Sequence, residues 1–160
     1  MLIKLVTVGK IKEKFYKEAI AEYAKRMKSY NKVEIIEVAD EKAPETLSRK
    51  EVAMVKDAEG ERILGKIKDD SFVITLEIGG RALDSISFAR LIQEEMLDGF
   101  GRDLVFVVGG SNGLGDNVLK RSNYRLSFGK MTYPHQLMRV ILMEQVYRAY
   151  RIINKEPYHK

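Results

Sequence analysis

The sequence predicts an α/β fold, a mainly parallel sheet with flanking helices. Two observations carry this. Five short apolar, β-rich runs alternate along the chain with segments of helical periodicity, the pattern of a sheet wound by crossover helices. One of those runs, Leu104–Val108 (LVFVV), is apolar without alternation, as in a strand covered on both faces of a parallel sheet.

Leu2–Val8 is the first strand, ended by Gly9. Phe15, Tyr16, Ala19, Ile20, Tyr23, Ala24 and Met27 recur at three- and four-residue spacing and make a helix from Glu13 to Ser29. Val33–Val38 (VEIIEV) is the second strand, and Ala39–Leu47, with Pro44, is a loop. Ser48 with Glu51 three residues on is a capping-box pattern, opening a helix to about Lys68 that Gly60 and Gly65 weaken. Phe72–Ile78 (FVITLEI) is a strand, with Gly79-Gly80 as its turn. The next helix spans Ser85 to Leu97 and turns Phe88, Leu91, Ile92 and Met96 inward. After Leu104–Val108 come the glycine-rich loop Gly109–Gly115, a short helical turn at Asn117–Arg121 and a fifth strand, Tyr124–Phe128. Pro134 suits the first position of a long last helix, His135–Asn154. No repeat, low-complexity tract or linker divides the chain, so residues 1–160 read as one domain.

Composition narrows the function classes. With 45% hydrophobic and 32% charged residues the chain is an ordinary globular protein. No apolar run approaches the ~18 residues of a membrane span. The opening residues lack the charged lead of a signal peptide, so a soluble cytoplasmic protein is expected, with no membrane partner. The absence of cysteine removes disulfides, thiolate catalysis and cysteine metal sites. His135 and His159 are the only histidines, so no metal site is expected either. Charge is uneven: residues 1–116 carry 19 Lys and Arg against 21 Asp and Glu, whereas residues 117–160 carry 9 against 2. A polyanionic partner accounts for that asymmetry, and a solvated basic helix face accounts for it equally well.

Ligands of parallel sheets bind beyond the carboxyl ends of the strands, which points to the loops after Ile78, Val108 and Phe128. Gly109–Gly115 (GGSNGLG) has neither the GK[ST] of a P-loop nor G-x-G-x-x-G spacing; it offers backbone that can approach a ligand closely, or simply a strand-to-helix turn. Ser127–His135 is rich for a connection and ends at a helix N-terminus, where an anionic group is favoured; simple capping by Thr132 would also explain it. The last helix is apolar over more than one stripe, as for a helix packed on its own sheet and on a second subunit, or one central to a monomer. The tail Pro157-Tyr158-His159-Lys160 has the composition of an ordered segment.

The segments GGSNGLG, RSNYRLSFGKMTYPHQLMRVILMEQVYRAYRI and PYHK, together with Val8–Lys10, DEKAPE at Asp40–Glu45 and ITLEIGG, closely resemble the RlmH (YbeA) family of bacterial SPOUT-class methyltransferases over the whole chain. That resemblance implies a SPOUT α/β knot, a C-terminal trefoil through which the chain threads to hold S-adenosyl-L-methionine. It implies Leu76, Gly109 and the run Phe128, Gly129, Lys130, Met131, Thr132 and Tyr133 as cofactor-binding positions. The implied reaction is methylation of N3 of a pseudouridine (position 1915) in 23S rRNA on the assembled ribosome, by a homodimer whose active site is completed across the interface. Catalytic candidates are His159, to position the base or accept its proton, Tyr158, to stack on it, and Arg139, to hold a phosphate or steady the imide oxygens. Lys120, Arg121, Arg125, Arg139, Arg148 and Arg151 are the cations expected to meet RNA. The alternatives are a non-catalytic RNA- or ribosome-binding α/β module using the basic C-terminal quarter, and a nucleotide-binding α/β protein; cofactor binding separates them from the enzyme.

Overall fold

A computed structural model describes residues 1–99 and 101–160. Ten elements follow in the order β1 (Ile3–Val8), α1 (Lys14–Met27), β2 (Val33–Val38), α2 (Arg49–Leu64), β3 (Phe72–Ala82), α3 (Ser85–Asp98), β4 (Leu104–Val108), α4 (Asp116–Arg121), β5 (Tyr124–Ser127) and α5 (His135–Ile153). The five strands form one sheet in the order β2-β1-β4-β3-β5, every pairing parallel. β1 and β4 lie at its centre and are buried along their whole length.

The two-residue period of a strand divides the core in two. Ile3, Leu5, Leu104, Phe106 and Val108 face one layer with Ile74 and Leu126, against α1, α3 and α5. Val6, Val8, Val105, Val107 and Val73 face the other, against Ile63 of α2 and Val118 of α4. The unbroken apolar run of β4 is therefore two alternating sets, each covered by helices. At the amino end of the sheet Lys4 of β1 and Lys68 both reach Asp103, at 3.4 and 3.3 Å.

Local chemistry sets the helix boundaries. α2 opens with the expected capping box: Ser48 Oγ accepts from Glu51 N at 3.2 Å, and Glu51 Oε1 accepts from Ser48 N at 3.3 Å. It stops at Leu64 rather than continuing to Lys68, because Gly65 is its C-cap. Gly60, inside the helix, is where α4 comes in. A Cβ there would lie 2.3 Å from Asn117 Oδ1, so the glycine sacrifices helix propensity for close packing. α3 is capped by Asp84, whose Oδ1 accepts from Ser87 N at 2.7 Å. Its inward residues are Phe88, Ala89 and Ile92; Leu91 is half-buried, and Met96, expected inside, is 40% exposed. The stripe runs one residue to the side of the expected one and ends a turn earlier.

Two departures bear on function. Gly79-Gly80 is not the turn that ends β3. The strand runs on to Ala82, and Leu126 pairs with both Leu76 and Arg81, so residues 77–80 bulge out between them. Gly80 permits this, since a Cβ there would stand 2.7 Å from Arg125 O. Secondly, Pro134 precedes α5 as its N-cap instead of opening it, and Thr132 makes no capping bond.

α5 packs between α1 and α3, burying Leu142, Met143, Val146, Ala149 and Tyr150. Its broad apolar surface is thus largely covered within one chain. Among these residues lies Arg139, 1% exposed. Its Nη1 donates to Glu37 Oε2 at 2.9 Å, and its Nη2 donates to Val8 O at 2.6 Å and Gly9 O at 3.0 Å. Arg139→Ala would strand these acceptors and open a void, so a loss of about 3 kcal/mol is expected, on the order of 10 °C in Tm. Thermal unfolding checks this; an unshifted Tm would show that the three bonds do not hold the fold.

Candidate functional site

The bulge of β3 and the loops beyond β4 and β5 meet the N-terminus of α5 around a cleft of about 670 Å³, within the usual range for small-molecule sites. The β3 bulge brings Leu76, Glu77 and Ile78 to one wall. Val108 and the loop Gly109–Leu114 form a second. The segment Phe128–His135, without Lys130, and Met138 close the third. Of the eight expected binding positions, Leu76, Gly109, Phe128, Gly129, Met131, Thr132 and Tyr133 line this cleft; Lys130 is exposed and does not.

The walls are built for close approach by backbone. Gly113 turns the second wall with φ of 83°, and its N–H donates to Gly110 O at 3.0 Å. A Cβ on Gly109 would lie 2.9 Å from the Gly113 carbonyl carbon. Ser127 stitches the first wall to the third: its Oγ donates to Ile78 O at 3.0 Å and accepts from Gly129 N at 3.1 Å. Gly129, at φ of 106°, then takes a conformation that side chains rarely adopt.

Glu77 is the one formally charged side chain lining the cleft among the described residues. Sequence reasoning passed over it, although it is the single charge in the run FVITLEI; in the fold it opens the bulge of β3. His135 borders the same space; burial, with Arg139 nearby, pulls its imidazole below the ordinary value, so it is neutral at physiological pH. The cleft therefore combines apolar walls, free backbone and one carboxylate, a set that suits a flat heterocycle carrying a cationic centre.

A second crevice of about 670 Å³ lies between the carboxyl ends of β1 and β4, where the connections leave in opposite directions. It shares Gly110, Ser111, Asn112 and His135 with the first. On its floor is Glu59 of α2, 5% exposed, whose Oε2 accepts from Glu41 N at 3.0 Å while Oε1 has no partner among the described residues. Sequence reasoning missed Glu59 too. The signal was its place between Val55 and Ile63 on the inward stripe of α2.

The three expected catalytic residues are not brought together. Arg139 is held inside, as described above. Tyr158 and His159 share one network at the other end of α5. Arg148 Nε and Nη2 donate to Glu144 Oε1 at 3.0 and 2.6 Å, and Tyr158 Oη donates to the same atom at 3.0 Å. The Tyr158 ring packs edge-on against Tyr147, at 4.9 Å between centroids, with the Arg148 guanidinium 4.7 Å over it. Burial, then the Glu144 bond, raise the Tyr158 hydroxyl above its ordinary value, so it stays a donor. Arg148 Nη1 lies 3.2 Å from His159 Nδ1. Because a guanidinium can only donate, Nδ1 accepts, and the neutral ring carries its proton on Nε2. His159 borders a groove with Ser85, Gln145, Phe128 and Gly129, the last two shared with the cleft.

The cations expected to meet RNA are mostly occupied. Arg121 donates to Lys68 O, Asp69 O and Ser71 O at the amino end of β3, away from the cleft. Arg125 is 3.9 Å from Glu77, and Arg151 pairs with Glu156 and donates to Pro157 O at 2.8 Å. Of the expected set only Lys120 makes no ion pair or hydrogen bond among the described residues.

Burial raises the Glu59 carboxyl above the ordinary range; the Glu41 N–H opposes this, and neighbouring Asp40 supports it. The folded state therefore binds this proton more tightly than the unfolded chain. Its contribution to stability is complete below the ordinary carboxylate range and is lost as pH rises through the raised value. Glu59→Gln keeps an acceptor for Glu41 N without the charge. Its Tm relative to the wild type is expected to rise between about pH 5 and about pH 8, as thermal unfolding at the two values would read.

The sequence of residues 1–159 matches the family model described as "Predicted SPOUT methyltransferase". Among solved structures, the fold is similar to a probable methylase family protein from Haemophilus influenzae Rd KW20, at TM-score 0.49 and 14% identity over 96% of this chain. It is also similar to a protein assigned to the TrmH family of RNA methyltransferases from Porphyromonas gingivalis, at TM-score 0.42 and 12% identity over 89% of this chain. The chain spans 66% and 58% of the lengths of those two structures. Matched along nearly its whole length, the chain belongs to the SPOUT methyltransferase family.

Proposed function

We propose that this protein transfers a methyl group from S-adenosyl-L-methionine to RNA, at N3 of a pseudouridine in 23S rRNA on the assembled cytoplasmic ribosome. The observation that carries the methyl-transfer reading is the cleft, with backbone-lined apolar walls and Glu77 as its single charge. Family membership supports it, and the resemblance of GGSNGLG, SFGKMTY and PYHK to the pseudouridine methyltransferases supports the finer substrate.

The residues present fit the cofactor. The Gly109–Gly113 turn, which a Cβ would obstruct, leaves room for a flat ring against Leu76 and Leu114, and Glu77 offers a counter-charge for the sulfonium. When bound, the cofactor supplies a methyl group already activated on sulfur. The protein then has to orient the base nitrogen and exclude water, which is where positioning contributes most. Ile78, Met131 and Tyr133 are 52%, 76% and 39% exposed at the mouth, and covering them would exclude that water. We assign this cover to a second copy of the chain, giving a homodimer. The same reading takes in the C-terminal knot of the family. In its favour, the chain returns from β5, at one edge of the sheet, to bond the ends of β1 through Arg139.

Within this reading His159 positions the target base. Its Nε2–H faces no partner among the described residues and is ready to donate to a base carbonyl. Accepting the N3 proton at Nδ1 would first require breaking the bond from Arg148. Tyr158, held by Glu144 and Arg148, fixes the tail, and stacking on a base would require one of those contacts to open.

Calorimetry with S-adenosyl-L-methionine tests the reading directly. Binding is expected in the wild type and at least about tenfold weaker in Gly109→Ala, whose Cβ meets backbone, a difference of about 1.4 kcal/mol. No heat at millimolar cofactor would remove the methyltransferase reading. For the tail, His159→Ala should bind cofactor as the wild type does and show the same mass by light scattering, yet turn over whole ribosomes on the order of a hundredfold more slowly. Unchanged turnover would take His159 out of the mechanism.

A further inference from the structure

The basic C-terminal quarter offers little free charge to RNA. Its arginines are consumed within the chain, and Arg121 lies at the amino end of the sheet, opposite the cleft. The stretch between β1 and the first turn of α1 is different. Lys10, Lys12, Lys14 and Lys17 are all exposed, against the one acid Glu13. Lys10, Lys12 and Lys17 make no ion pair among the described residues, and Lys14 has only Glu18 at 3.7 Å, both side chains exposed. Among these lysines stands Phe15, 63% exposed, its ring 4.3 Å from that of the half-buried Tyr16 behind it.

An exposed aromatic ring braced from behind and surrounded by unpaired cations is how proteins hold single-stranded nucleic acid. The ring stacks on a base of any identity, and the cations follow the phosphates. The place is also right. Lys10 and Lys12 line the crevice at the β1/β4 switch point, which shares Gly110, Ser111, Asn112 and His135 with the cofactor cleft. Glu13, Glu37, Asp40, Glu41 and Glu59 also line that crevice, so phosphates are kept out of it and on the exposed lysine face.

We propose that Phe15, with Lys10, Lys12, Lys14 and Lys17, is the platform for the single-stranded RNA adjoining the target nucleotide. Phe15 stacks on one base, and the lysines hold the phosphates on either side. This rests on the methyl-transfer reading above, which supplies RNA as the substrate. A second copy of this chain is a poorer occupant, since it would bring four like charges against its own face.

Fluorescence anisotropy with a labelled oligouridylate of about 12 nucleotides, over a series of salt concentrations, tests the platform. Phe15→Ala is expected to weaken binding roughly five- to a hundredfold, the loss of one base stack. The double variant Lys12→Ala with Lys14→Ala is expected to lower the slope of log affinity against log salt by about 1.4, two phosphate contacts on a single strand. Lys66→Ala, at the opposite end of the sheet, sets the background for losing one charge. Both platform variants should keep wild-type cofactor affinity by calorimetry, wild-type Tm and wild-type mass. If the wild type binds the oligonucleotide and the platform variants bind it equally well, the proposal is overturned. If Phe15→Ala instead changes the mass by light scattering with RNA affinity intact, the face is an interface between copies and the proposal is likewise overturned. Failure of the methyl-transfer reading shows separately, as absence of cofactor binding in the wild type.

Discussion

One guanidinium fixes the geometry on which the cleft depends. Arg139 lies one turn into α5, and its three bonds end on Glu37 of β2 and on the carbonyls of Val8 and Gly9 at the end of β1. Those carbonyls are the acceptors a parallel strand leaves unsatisfied where it stops, and a buried orphan of this kind is costly. Glu37 in turn accepts from Ile11 N at 3.0 Å, which ties the β1–α1 connection into the same knot of bonds. The N-terminus of α5 is thereby held over the carboxyl ends of the central strands. The segment Phe128–Tyr133, which leads into α5, has only one place to lie: along the mouth of the cleft. A lysine could not substitute, because it lacks the planar fork that reaches three acceptors at once.

How much of this was legible in the sequence depends on the range of the forces involved. The strands Val33–Val38 and Leu104–Val108 read out to the residue, because each is a short apolar or alternating run with polar residues or glycines close by on both sides. The capping box of α2 did too, being a contact between residues three apart. The β3 bulge did not. Gly79-Gly80 has the composition of a turn, and only the carbonyl of Arg125, some forty-five residues later in the chain, shows that the glycines serve a close backbone approach. The internal bonds of Arg139 were hidden for the same reason. Its spacing from His135 put it on a plausible catalytic face, but its partners come from β1 and β2, about a hundred residues earlier. The positions lining the cleft followed from resemblance rather than from periodicity; Glu77 stands out as the lone charge of an apolar run, whereas Glu59 is hidden among the charges of KDAEGER and shows only in its spacing from Val55 and Ile63.

The tail shows how an end of the chain becomes ordered without a core of its own. Lys155 takes φ of 55°, reversing the chain at the end of α5, and Arg151 then holds Pro157 O while Tyr30 Oη donates to Glu156 Oε2 at 2.8 Å. Tyr158 and His159 are laid back along α5 onto Glu144 and Arg148. Glu144 is the hub: Oε1 accepts from Arg148 and Tyr158, and Oε2 from Gln145 Nε2 at 2.9 Å, whose Oε1 accepts from Ser85 Oγ at 2.8 Å. The network joins the start of α3, the middle of α5 and the tail, so the orientation of His159 is set by groups from three parts of the chain.

The disposition of charge separates two opposite demands. Under the proposed function a cationic cofactor and a polyanionic substrate must meet within a few ångströms, and an arginine free in the cleft would attract the second at the cost of repelling the first. The structure avoids this by spending its C-terminal arginines on internal carbonyls and carboxylates, where the charge is compensated, and by leaving a single carboxylate and a neutral imidazole in the cleft itself. Unpaired lysines are kept outside, on the β1–α1 connection beyond the glycine loop. At an ionic strength near 0.15 M the field of those lysines is screened over about 8 Å, so they can gather phosphates at the rim while adding little to the potential inside. The glycine loop that divides the two spaces therefore sets both the shape of the cleft and the distance over which the two charge patterns can interfere.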